Sequence, residues 1–199
     1  MFRVAAACLI LLLVGCNDTD HQNLDSVRIK VAEAPAVTRP AGAAMVQPAL
    51  TPSAEEKVGL LLDIVGQNSL RNLARQADAE PAFVSNFANQ AHRLHWDLLR
   101  RTGFDPLAQL ARLLEGPYGT RRVGEEIWFI WPDLAALEPD ELLPERLDFT
   151  NRARLQDLVG EAGISRIRNG QPYPGLRTAI AGDGRWLYYL HQTEDEAGG

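Results

Sequence analysis

Two imidazoles stand three residues apart in His92-Arg93-Leu94-His95-Trp96-Asp97. On a helix that spacing brings both rings to one side, close enough to share a metal ion, with Asp97 off to the flank. A zinc protease helix would carry a glutamate inside the pair and a further ligand elsewhere. Here Arg93 and Leu94 lie between, and the sequence offers no third ligand. Solvated or core-capping histidines account for the pair better than a metal site does, so no metal is assigned. Glu125-Glu126 offers adjacent carboxylates for acid–base work, yet directly after Gly124 they fit the polar tip of a hairpin. His95 and Glu126 remain the candidate general bases should a sheet-lined pocket enclose them. The carboxylates from Glu125 to Asp148 lack a calcium-loop spacing. There is no nucleophile elbow, phosphate loop or dinucleotide fingerprint, so no catalytic residue and no cofactor is assigned.

The aromatic residues Trp128, Phe129, Trp131, Trp186, Tyr188 and Tyr189 form the strongest remaining pattern. Alternation in a strand sends Trp128 and Ile130 to one face, Phe129 and Trp131 to the other; by the same rule Trp186 and Tyr188 oppose Leu187 and Tyr189. Both faces of such a sheet are apolar. One must meet helices, and the other is covered by further chain, by a partner or by a ligand. On this count Trp128, Trp131, Trp186, Tyr188 and Tyr189 are candidates for a binding face as well as for core.

The elements that would position these residues follow from periodicity. Ser53, with Glu56 three residues on, is a capping box ahead of Val58, Leu61, Leu62 and Val65, and the helix is expected to run to about Ala77. A second helix is expected from near Pro81, with Phe83, Phe87, Ala91, Leu94 and Leu98 on its apolar face and Gly103 as a left-handed cap. Asp105-Pro106 opens a third, burying Leu107, Leu110, Ala111 and Leu114 until Gly116-Pro117. The period then switches from 3.6 to 2. Arg121–Val123 and Ile127–Trp131 flank Gly124-Glu125-Glu126 as a hairpin; Leu176–Ile180 and Arg185–Leu190 flank Gly182-Asp183-Gly184 as a second, and residues 147–159 between them read as a helix. The fold class is therefore α+β: N-terminal helices, then two hairpins forming an antiparallel sheet, with an intervening helix.

The chain's own start gives an address. Arg3 is followed by an unbroken apolar run from Val4 to Val14, then Gly15, Cys16 and the polar Asn17-Asp18-Thr19-Asp20. Eleven apolar residues reach roughly 16 Å as a helix, short of a bilayer core of about 30 Å. The layout is that of a secretory signal. Leu13-Val14-Gly15-Cys16 resembles a bacterial lipobox, which implies cleavage before Cys16 and acylation of its thiol, an exported protein, and a membrane anchor facing the periplasm; inner and outer membrane both stay open. Residues 1–15 are then signal peptide. Residues 16–52 are the lipidated cysteine and a tether without aromatics, carrying Pro35, Pro40, Pro48 and Pro52. Such a tether spans roughly 33 Å as a coil and about 110 Å when extended. Within it Val27–Val31 alternates like a strand and could add to a sheet edge.

Residues 53–192 form a single domain holding all 4 Trp, all 4 Tyr and every Phe except Phe2. Residues 193–199 are an acidic tail. Cys8 and Cys16 are the only cysteines, so the mature domain has no thiol chemistry. The net charge of −6, with an exported address, speaks against nucleic acid as a partner.

Pro117-Tyr118-Gly119-Thr120, Trp131-Pro132-Asp133-Leu134-Ala135-Ala136 and Asp183-Gly184-Arg185-Trp186 together resemble an uncharacterised C-terminal region of exported proteobacterial proteins. That resemblance implies a folded family domain and transfers no catalytic residue. Helices followed by antiparallel strands are also similar to the cone-shaped sheet folds of the nuclear-transport-factor type. The expected role is a binding or scaffolding module, engaging an envelope protein or small ligand. The other reading is an envelope hydrolase or isomerase with a sheet-lined pocket.

Overall fold

A computed structural model describes residues 48–191. The signal run, Cys16, most of the tether, Val27–Val31 and the acidic tail lie outside the described residues. Four helices come first, α1 (Pro52–Gly66), α2 (Leu70–Asp78), α3 (His92–Arg101) and α4 (Pro106–Leu114). Strands β1 (Gly119–Val123) and β2 (Glu126–Trp131) follow, then a 3-10 turn (Asp133–Ala136), α5 (Phe149–Arg168), β3 (Arg177–Ala181) and β4 (Trp186–Leu190). The strands form one antiparallel four-stranded sheet in the order β1-β2-β3-β4. This is the α+β arrangement expected.

The helix boundaries depart from expectation for local reasons. Thr51, not Ser53, caps α1: its side chain accepts from the Ala54 N–H at 3.3 Å, and Pro52 takes the first helical position, where its missing N–H costs nothing. The same hydroxyl donates to the Gly182 carbonyl at 2.6 Å, tying the helix start to the second hairpin turn. Gly184 in that turn has φ +90, and a Cβ there would lie 2.8 Å from the Ser53 carbonyl oxygen, so only glycine fits. The run expected to reach Ala77 breaks at Asn68, which adopts φ 50, and Ser69 restarts it by capping α2. The helix expected from Pro81 begins at His92 instead. Asn86 clamps the preceding loop, donating to the Gln90 carbonyl at 3.1 Å and accepting from its N–H at 3.0 Å. Gly103 (φ 91) and the Asp105-Pro106 start of α4 are as expected. Helix α5 runs past residue 159 because Gly160, at φ 62, kinks it rather than ending it.

The sheet is a middle layer. On one side α1 to α4 bury Leu61, Leu73, Trp96, Leu107 and Leu110 against Phe129, Trp131, Ile180, Trp186 and Tyr189. On the other, α5 and the residues flanking it bury Leu142, Leu155, Ile164, Ile167 and Tyr173 against Ile130 and Ala179. The face that a cone-shaped sheet would leave open to a ligand is thus filled by chain. No described helix is long and apolar enough to cross a membrane.

Candidate functional site

The expected aromatic face divides between the two cores. Trp131 is 1% exposed, Trp186 0% and Tyr189 2%, all under the first helical layer. Trp186 stacks on Trp96 at 6.2 Å and on Tyr189 at 6.3 Å, and its indole N–H donates to Thr178 Oγ1 at 2.8 Å. Trp128 and Tyr188 are half-buried on the α5 side. Strict alternation placed Trp186 with Tyr188. In the structure Ala179 pairs with Tyr188 and Ile180 with Trp186, so Leu187 is an extra residue in β4. That bulge carries Tyr188 to the α5 face and returns Tyr189 to the side of Trp186. The segment around Val84 is what the bulge receives: its N–H donates to the Leu187 carbonyl at 3.2 Å, and the Tyr189 N–H donates to the Val84 carbonyl at 3.0 Å. These aromatics therefore pack inside the domain rather than lining an open surface.

The imidazoles share the N-terminal turn of α3, but their surroundings differ. His95 is 8% exposed with no partner for Nε2, and burial, with His92 nearby, lowers its pKa. His92 is held by a contact the sequence did not suggest, 2.7 Å from its Nδ1 to Ser85 Oγ. Asn86 donates to the same Ser85 oxygen at 3.0 Å, and the imidazole tautomer sets which of Ser85 and His92 donates across their contact. The distance alone is that of a nucleophile beside a base. Ser85 is only 2% exposed, however, and the pair knits the loop onto α3. Glu125 and Glu126 sit at the exposed end of the first hairpin, where Glu126 pairs with Arg185 and accepts from the Trp128 indole at 3.2 Å. Among the described residues no three His, Cys, Asp or Glu side chains gather to hold a metal.

Recessed surface lies instead between α4 and α5. Two basins of about 370 and 350 Å³ share Gln109, Asp157, Leu158 and Leu176, and so form one groove. Leu113, Pro132 and Tyr173 floor one basin; Val159 and Pro174 floor the other. Arg112, Arg154 and Arg166 supply its cations. Arg154 is bidentate on Asp133, at 2.6 and 3.2 Å, and this pairing raises its pKa. Burial pushes the Tyr173 hydroxyl above its usual range, so it stays a neutral donor or acceptor at the groove floor. A wider cleft of about 670 Å³ opens on the far side of Asp133, between Tyr118, Leu137, Arg146 and Asp148, with Pro48 on its rim.

No protein-family model, curated protein or solved structure matches the chain. An apolar floor with separated guanidinium groups can hold an extended segment or a flat acidic ligand; it presents no nucleophile beside a base. The groove was not legible in the sequence, because α4 and the kinked α5 that form it lie far apart along the chain.

Proposed function

We propose that the protein is a lipid-anchored component of the bacterial cell envelope, held at the membrane through acylated Cys16, whose domain binds or scaffolds rather than catalyses. Its partner is an envelope protein or a small ligand, taken up by the groove between α4 and α5. The groove itself carries this reading: it is an apolar recess flanked by Arg112, Arg154 and Arg166, with Arg154 held in place by Asp133. The Leu13-Val14-Gly15-Cys16 resemblance supports the anchor.

A second reading, an envelope hydrolase, is favoured by one observation, the 2.7 Å contact between Ser85 Oγ and His92 Nδ1. It ranks lower because Ser85 is nearly inaccessible and the clefts described above are lined by other residues. His95 and Glu126 are lower still as bases, one buried with no hydrogen-bond partner for Nε2 and the other ion-paired in solvent.

The anchor is tested by Cys16→Ser, which should abolish lipid labelling and leave the protein unprocessed or released from membranes. Normal processing and detergent-resistant membrane association in the variant would overturn it. A photo-crosslinking side chain at Leu158 in intact cells should give a discrete adduct that the same probe at Glu56, exposed on α1, does not. Identical adducts from both positions would remove the groove from consideration.

A further inference from the structure

The outer side of α3 inverts the sequence's expectation. Leu94 and Leu98 belong to the stripe that should have faced the core, yet they are 54% and 41% exposed, while His95 and Trp96 are the residues turned inward. At about 100° per residue, Leu94, Leu98 and Arg101 fall in one narrow arc opposite the buried side. The segment entering the helix also exposes Phe87, at 54%. Arg93, Arg100 and Arg101 are exposed around this strip, and the only acid on the helix, Asp97, lies 3.6 Å from Arg93. A chain of net charge −6 therefore carries, at this place, exposed aliphatic and aromatic side chains bordered by an excess of arginine.

We propose that the outer face of α3, with Phe87, docks on an anionic phospholipid bilayer. Leucine and phenylalanine side chains partition into the boundary between headgroups and acyl chains, and arginines reach lipid phosphates while their stems stay in apolar surroundings. Each basic residue held near an anionic leaflet strengthens the association, and salt weakens it. A protein partner would call for a shaped recess; α3 offers a convex strip, which suits a deformable surface. Affinity need not be high. On the reading that Cys16 is acylated, the 31 residues from 17 to 47 confine the domain within about 110 Å of the bilayer. At the resulting effective concentration, a contact too weak to recruit a free protein still orients a tethered one. The α4–α5 groove is a separate surface on other helices, and it stays available to its own partner.

The test uses the chain from residue 17 onward, which contains every described residue and both core clusters and carries no acyl group. It should co-sediment with vesicles of equal parts phosphatidylethanolamine and phosphatidylglycerol, and not with phosphatidylcholine alone. Leu94→Ser with Leu98→Ser, and separately Arg100→Glu with Arg101→Glu, should each lower partitioning by about tenfold or more. Both pairs are solvent-exposed, so melting should not change. Because this chain has no cysteine, a Leu98→Cys variant can carry an environment-sensitive dye; it should brighten and shift to the blue on the anionic vesicles, whereas the dye on Glu56→Cys stays silent. Equal binding to both vesicle types, or binding indifferent to the leucine pair, overturns the proposal. So does self-association lost in the leucine variant without any vesicle binding, which would make the face a contact between copies. Vesicle binding needs no acyl group, so its outcome and that of the Cys16→Ser assay fail independently.

Discussion

The two faces of the sheet are both apolar and both covered, but they are covered differently. Under α1 to α4 the tryptophans Trp96, Trp131 and Trp186 are at most 1% exposed, and the buried hydroxyls of Thr178 and Tyr189 are spent on fixed partners, Thr178 on the Tyr188 carbonyl at 2.7 Å and Tyr189 on the Pro106 carbonyl at 2.8 Å. Under α5 the strand aromatics Trp128 and Tyr188 are half-buried, the covering helix is kinked at Gly160, and clefts open along its margins. A continuous helical layer seals one face for stability. A single bent helix cannot seal the other, and what it leaves uncovered is the protein's recessed surface.

If that contrast is correct, equal truncations on the two faces are unequal in cost. Trp186→Ala removes a fully buried indole stacked on two rings and should cost about 3 to 5 kcal/mol. Trp128→Ala, on the half-buried side and with its indole N–H bonded only to Glu126, should cost about 1 kcal/mol. Urea unfolding of the soluble domain reads both; similar losses would erase the distinction between the faces. Thr178→Val comes next. Thr178 is 0% exposed and bridges the Trp186 N–H to the Tyr188 carbonyl, so an isosteric valine leaves one buried donor unpaired at a cost of about 1 to 3 kcal/mol. A melt unchanged by this substitution would show that water reaches the sealed face.

Legibility differed within the sealed face itself. The alternation in Ile127–Trp131 puts Phe129 and Trp131 on one face together, which the structure shows to be the face under α1 to α4, and Asp105-Pro106 announced α4 because cap and proline act within one turn. The register of β4 was not readable in the same way. The bulge at Leu187 depends on pairing with β3 and on the Val84 segment about a hundred residues earlier, neither of which a local period of two can sense. Helix α3 failed for a related reason. Its apolar stripe was real, but Asn86 and Ser85 fix the loop so that His95 and Trp96 turn inward instead. The groove needs α4 and α5 juxtaposed and Gly160 at φ 62; the glycine could be seen in the sequence, its conformation could not.

Acid should act on the sealed face through His95. Its folded pKa is depressed by burial, so the folded state disfavours the imidazolium and the unfolded chain binds the proton more readily. The stability linked to this group is fully present above the unfolded value of about 6.5 and is lost as pH falls from there through the folded pKa. Unfolding free energy measured at stepped pH should therefore decline below about 6.5, and His95→Gln should flatten that part of the curve. A decline of the same slope in His95→Gln would assign the acid sensitivity to other groups.

The smallest expected change in stability is the one that most sharpens the contrast. Leu158 is a large apolar residue on α5, 44% exposed, and it lines both basins of the groove. Its neighbour Leu155 is 0% exposed and belongs to the core beneath the same helix. Leu155→Ser should unfold or strongly destabilise the domain, because it buries an unpaired hydroxyl where a methyl cluster stood. Leu158→Ser should leave the melt within about 0.5 kcal/mol, since an exposed leucine contributes little to folding. If the groove takes an apolar segment, however, this side chain is the one such a segment covers, and adducts from a crosslinker placed at the exposed Arg112 on the α4 wall should disappear in Leu158→Ser. An unchanged melt with unchanged adducts would make Leu158 ordinary surface and leave the groove a packing defect beside a kinked helix. A melt lowered by several kcal/mol would mean that α5 seals its face as tightly as the four-helix layer does, and that the difference between the two faces is one of shape alone.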